Sequence, residues 1–193
     1  MPNRIGGRSV LIGVAALLIL GVSFGFSAEL KAGQKAPHFE LPTIFGDSIY
    51  SSKDLFPQST LTVLILWTSS CPNCRKALKS CRDMAEKVRE KGVRLIGINF
   101  DTEKLATGRR FIMGEKIDFV NLHDFQGKVA RAYEAESYDF STFIVDRSGR
   151  LKYVSYGHRP DVEGAILKKI RQILGPKQKE KSKDSKANRD RKV

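Results

Sequence analysis

Apolar and polar positions along this chain alternate in blocks whose spacing predicts the elements. LTVLILW, residues 61–67, is an unbroken β-branched and aliphatic run, as in a strand covered on both faces. Residues 72–90 follow with Ala77, Leu78, Cys81, Met84, Ala85 and Val88 at helical spacing, and Gly92 predicts the stop. VRLIGINF, residues 93–100, repeats the buried-strand pattern, and Asp101-Thr102 predicts the cap of a helix running to about Met113. DFVNLHD, residues 118–124, predicts a strand or extended segment, and KVARAYEA a short helix. STFIVD, residues 141–146, turns at Arg147-Ser148-Gly149-Arg150 into LKYVSY, a hairpin. Pro160 then predicts a last helix with Val162, Ala165, Ile166, Ile170, Ile173 and Leu174 facing inward, ended by Gly175-Pro176. Upstream, HFELPTIFGDSIYSSKDLF, residues 38–56, sets Gly46-Asp47 between short apolar stretches and predicts a hairpin. The order predicts an α/β domain over 33–174, with a central mixed sheet flanked by helices. Its strands begin parallel and finish as an antiparallel hairpin with a covering helix.

The ends break this pattern. Residues 10–26 (VLIGVAALLILGVSFGF) carry no charge and follow Arg4 and Arg8, the arrangement of a charged lead and an apolar core. Residues 1–28 are therefore expected to be a signal peptide or an N-terminal membrane anchor, with everything after them exported. Residues 176–193 (PKQKEKSKDSKANRDRKV) are too polar to bury anything, and a disordered basic tail is expected there.

Charge changes the picture less than its total suggests. Of the net +13, the tail holds +5 and the two leading arginines +2. The remainder is spread over residues 9–175 with no basic run or aromatic-and-arginine stripe, so a nucleic-acid partner is not expected.

The candidate chemistry lies in LWTSSCPNCRKALKSC, residues 66–81. Cys71 falls where a buried strand hands over to a helix, with Pro72 at the first helical position. Free backbone N–H groups and the positive helix end stabilise a thiolate there. Cys74, one turn in, is expected to be shielded and to attack a mixed disulfide on the exposed Cys71. Covalent haem attachment needs a His after the second Cys, where Arg75 stands, and His38, His123 and His158 have no metal-ligand spacing. No cofactor and no metal are expected. Cys81 shares the stripe of Leu78 and Ala85 and reads as a core residue.

The chain resembles the TlpA-like group of thioredoxin-like proteins in the AhpC/TSA redoxin superfamily, over about residues 33–174. Ala36-Pro37-His38-Phe39-Glu40-Leu41-Pro42 is similar to the family's opening A-P-x-F-x-L. Leu66-Trp67 with Cys71-Pro72-Asn73-Cys74-Arg75 is similar to F-W-A-x-W-C-P-P-C-R. Gly92-Val93-Arg94-Leu95-Ile96-Gly97-Ile98-Asn99 looks like its second strand, and Ser141 to Arg150 (STFIVDRSGR) like its T-T-F-L-I-D-x-x-G-x hairpin. Three positions depart from the pattern. Phe140 stands where the family has the proline whose cis peptide faces the pair, so a trans peptide and an aromatic over the thiols are expected. Ser70 replaces the Trp before the first Cys, and Ala77 a Glu found in some relatives. Apart from these three, Ile65 fills the position where thioredoxin proper buries an Asp, leaving no obvious carboxylate beside Cys74.

The resemblance implies a thiol:disulfide oxidoreductase with Cys71 and Cys74 catalytic, and Trp67, Pro72 and Phe140 on the substrate surface. Implied partners are protein thiols and disulfides, plus a membrane or periplasmic electron-transfer partner. The implied place is the bacterial periplasm or the extracytoplasmic side of the inner membrane, anchored or secreted. Cytochrome c maturation or envelope redox homeostasis is the implied setting. Two alternatives stay open: a non-catalytic thioredoxin-like binding module, suggested by Phe140, and a thiol peroxidase, suggested by Thr68-x-x-Cys71.

Overall fold

The structure, a computed structural model, describes residues 29–175. The expected leader and basic tail lie outside the described residues. Among these residues no helix is long and apolar enough to cross a membrane.

Strands β1 (Glu40–Pro42) and β2 (Ile49–Ser51) form the expected hairpin, followed by the short helix α1 (Ser52–Leu55). A five-stranded sheet in the order β5-β4-β3-β6-β7 makes the centre. Its strands are β3 (Leu61–Trp67), β4 (Val93–Asn99), β5 (Val120–His123), β6 (Phe140–Asp146) and β7 (Leu151–Tyr156). β4 runs parallel to both β3 and β5, while β6 is antiparallel to β3 and β7. Helices α2 (Pro72–Arg89), α3 (Leu105–Gly114), α4 (Lys128–Ala132) and α5 (Val162–Leu174) cover the sheet.

The period of a strand explains the unbroken run of β3. Leu61, Val63, Ile65 and Trp67 point into one core with α2 and α5, while Leu64 and Leu66 point into a second with Phe39, Tyr133 and Phe143. The predicted stripe of α2 is buried throughout.

Two helix starts differ from expectation. Asp101 does not cap α3, which begins at Leu105 after Lys104 and has no side-chain cap. Its carboxylate is taken by the backbone of Ser69. Helix α5 begins at Val162 rather than Pro160, because Asp161 accepts from the Gly164 N–H at 2.9 Å. Leu174, expected inward, is exposed at the last position of α5.

Candidate active site

Strand β3 delivers the chain to Thr68-Ser69-Ser70, and Cys71 caps α2. Cys71 Sγ accepts from the Cys74 N–H at 3.1 Å, so the sulfur lies on the free amides of the helix end. Pro72, the first helical residue, has no N–H to lose there and is exposed. Cys71 and Cys74 form a disulfide, Cα–Cα 5.2 Å. The two sulfurs differ in access: Cys71 is half-buried, whereas Cys74 is wholly covered.

The loop before β6 lies against the recessed sulfur. The Asp139 carbonyl oxygen is 3.4 Å from Cys74 Sγ and also accepts the Thr68 N–H at 3.1 Å. In the disulfide this sulfur carries no proton. In the dithiol its S–H has an acceptor already in place, which favours a protonated Cys74 beside an ionised Cys71.

Sequence reasoning missed this neighbour. The contact is made by the Asp139 backbone; its exposed side chain turns elsewhere, with Oδ1 accepting from Thr68 Oγ1 at 3.4 Å, and the expectation of no carboxylate beside Cys74 stands uncontradicted. The available signal was the place of Asp139 next to Phe140, the position already marked as opposite the pair.

Trp67 and Phe140 are brought to the site but not to its surface. They sit opposite one another on β3 and β6, 0% and 1% exposed, in the apolar cluster that contains Cys74 and is joined by Cys71. The Trp67 ring packs on Phe111 of α3 with centroids 5.8 Å apart, and its Nε1 donates to Asn121 Oδ1 at 3.2 Å. The Phe140 ring meets His158 edge-on at 6.2 Å. Both aromatics support the pair from beneath, because the strand register turns them into the core. The described backbone contains no cis peptide bond, in line with Phe140 in place of proline.

Cys81 is the remaining free thiol and is wholly buried. Burial, with a smaller contribution from Glu163, pushes its pKa up to about 12. It is a packing residue with no thiolate to offer near neutrality.

Beneath the Thr68–Ser70 turn lies a buried polar cluster at the ends of the parallel strands. Both Asp101 carboxylate oxygens accept from the Ser69 N–H, at 3.1 and 3.0 Å, and Oδ2 accepts from Asn99 Nδ2 at 2.9 Å. His123 Nε2 lies 3.0 Å from the Asp101 carbonyl oxygen.

Comparison with known proteins gives this geometry a lineage. The AhpC/TSA family description matches residues 32–154. The thiol-disulfide oxidoreductase ResA of Bacillus cereus is 25% identical over 170 residues, covering 82% of this chain and 95% of that protein. Peroxiredoxin Q of Oryza sativa subsp. japonica is 26% identical over 132 residues, covering 65% of this chain and 59% of that protein. Among solved structures, a candidate thiol:disulfide interchange protein DsbE from Chlorobium tepidum superposes with TM-score 0.67 at 27% identity. That match covers 76% of this chain and all of the other. The family match and the five-stranded sheet agree: the chain belongs to the AhpC/TSA family and has a thioredoxin-like fold of the TlpA-like kind.

Proposed function

We propose that this chain is an exported thiol:disulfide oxidoreductase that exchanges disulfides with protein cysteines through Cys71 and Cys74. The observation that carries the reading is the unequal setting of the two sulfurs. Cys71 accepts the Cys74 N–H at the helix end, and Cys74 is covered against the Asp139 carbonyl. In the reducing direction the Cys71 thiolate attacks a substrate disulfide, forming a mixed disulfide and releasing one substrate thiolate. Cys74, losing its proton to solvent, then attacks Cys71 Sγ. The Cys71–Cys74 bond closes, the second substrate thiolate leaves, and two electrons have passed to the substrate. A dithiol partner at the membrane or in the periplasm returns them. The same steps run backwards make the chain an oxidant. The relatives' names support this chemistry, and apocytochrome c is one substrate class consistent with the resemblance.

Full-length protein with dithiothreitol should reduce insulin, and Cys71→Ser should lower the rate about a hundredfold or more, to the uncatalysed level. Equal rates for the two would remove the enzymatic reading. The likeness to peroxiredoxin Q makes peroxide reduction the second reading. Against it, the Thr68 hydroxyl is turned to Asp139 Oδ1 and not given to Cys71.

The export part of the reading rests on Arg4 and Arg8 ahead of the uncharged segment 10–26. Alkaline phosphatase fused after Val193 should be active in a bacterial host, and deletion of residues 10–26 should silence it. Undiminished activity after the deletion would refute export by this segment.

A further inference from the structure

We propose that Asp101 is a positioning residue for the Cys71–Cys74 pair: its buried carboxylate holds the backbone of Ser69, and thereby fixes where Cys71 meets Cys74. The inference rests on the reading that this pair cycles between disulfide and dithiol.

The carboxylate is in an unusual place. Asp101 is 6% exposed, and among the described residues no salt bridge reaches it. A buried charge without a cation is costly unless amide donors solvate it. Here those donors are the Ser69 N–H, shared between both oxygens, and Asn99 Nδ2. Asn99 also reaches back to the Trp67 carbonyl at 3.4 Å, and the Asp101 carbonyl meets His123 Nε2 at 3.0 Å. The unit therefore ties together the ends of β3, β4 and β5. The segment it holds is the turn that ends at Cys71, two residues beyond Ser69.

The contact does no capping work, since α3 starts later and without it. Nor does it satisfy the Ser69 side chain, whose Oγ is buried with no partner. What it secures is one backbone N–H, by a charge-assisted bond, at the turn leading to the attacking sulfur.

Loss of the carboxylate has one sign by two routes. A looser turn lowers the effective concentration of one thiol at the other, which disfavours the disulfide. Removing a negative charge next to the turn favours the Cys71 thiolate, which also favours the reduced pair. Both routes make the couple more oxidising.

The test is the equilibrium of the full-length protein with reduced and oxidised glutathione, read as the fraction of Cys71–Cys74 closed. Asp101→Ala should shift this equilibrium toward the dithiol about tenfold, or about 30 mV. Asp101→Asn keeps one acceptor oxygen and should shift it in the same direction by less. Ser69→Ala, which keeps the N–H, and Ile170→Val, a core change on α5, should both match the native protein. The second control separates positioning from loss of stability. If Asp101→Ala does not fold, Asp101→Asn decides. A folded Asp101→Ala variant within about twofold of native overturns the proposal, as does an Asp101→Asn variant within that range where Asp101→Ala does not fold. The equilibrium exists whether or not the pair turns over protein disulfides. A flat result therefore removes the role of Asp101 alone, and absent insulin reduction removes the enzymatic reading alone.

Discussion

Replacing Cys74 with Ser should convert the protein into a trap, with mixed disulfides accumulating on Cys71 and turnover falling about a hundredfold or more. The structure gives the reason that the remaining thiol should stay reactive. The donor to Cys71 Sγ is the backbone N–H of residue 74, which the substitution keeps. The helix end and its free amides are likewise unchanged. Resolution, by contrast, has no substitute. Cys81 is wholly buried and holds its proton to about pH 12, so it cannot attack a disulfide at the site entrance. Adducts seen on non-reducing gels of cells that express the variant, released by dithiothreitol and absent in a Cys71→Ser/Cys74→Ser double variant, would establish exchange. Their absence would favour a groove that binds without chemistry. The identity of the captured proteins would test the suggested apocytochrome c substrates.

Gly97→Ala should be the most damaging small change in the sheet, costing about 3 kcal/mol or more by urea denaturation. Gly97 lies on β4 between Ile65 and Asn121. An added Cβ would stand 2.0 Å from Asn121 Oδ1 and 3.3 Å from Trp67 Nε1. These two atoms form the 3.2 Å hydrogen bond that passes over Gly97, joining β3 to β5. The methyl group must push one partner away, which overpacks the core and leaves a buried indole N–H without an acceptor. Adding Asn121→Ala should restore part of the loss, so the double variant should be less destabilised than the sum of the singles. A cost below about 1 kcal/mol for Gly97→Ala would show that the sheet absorbs the methyl group and that the bond is incidental.

The site was partly legible in the sequence. Cys71 at a strand-to-helix junction, Pro72 after it and Cys74 one turn inside all follow from local patterns, and the structure places them so. Cys81 was legible as core because it repeats at the spacing of Leu78 and Ala85. Trp67 and Phe140 were placed beside the pair correctly and assigned the wrong face. The unbroken apolar run of 61–67 already points to cover on both faces at Trp67, whereas the burial of Phe140 follows from its pairing opposite Trp67, which no window around Phe140 shows.

Asp101 shows the division most clearly. By local rules an Asp at the end of a strand run is a helix cap. In the fold its partner is Ser69, 32 residues away, brought within reach because β3 and β4 run parallel and end together at Trp67 and Asn99. Asp139 meets Cys74 across 65 residues for a similar reason, as β6 pairs antiparallel with β3 and carries the preceding loop to the helix end.

The sequence by itself determined the strands, the helices, their apolar faces and the redox pair, because periodicity and chain chirality act over one or two turns. The tertiary structure alone decided which backbone carbonyl faces Cys74, that Phe140 is hidden opposite Trp67 and which carboxylate holds the turn. Those depend on strand order and register, which bring together groups that the chain keeps far apart.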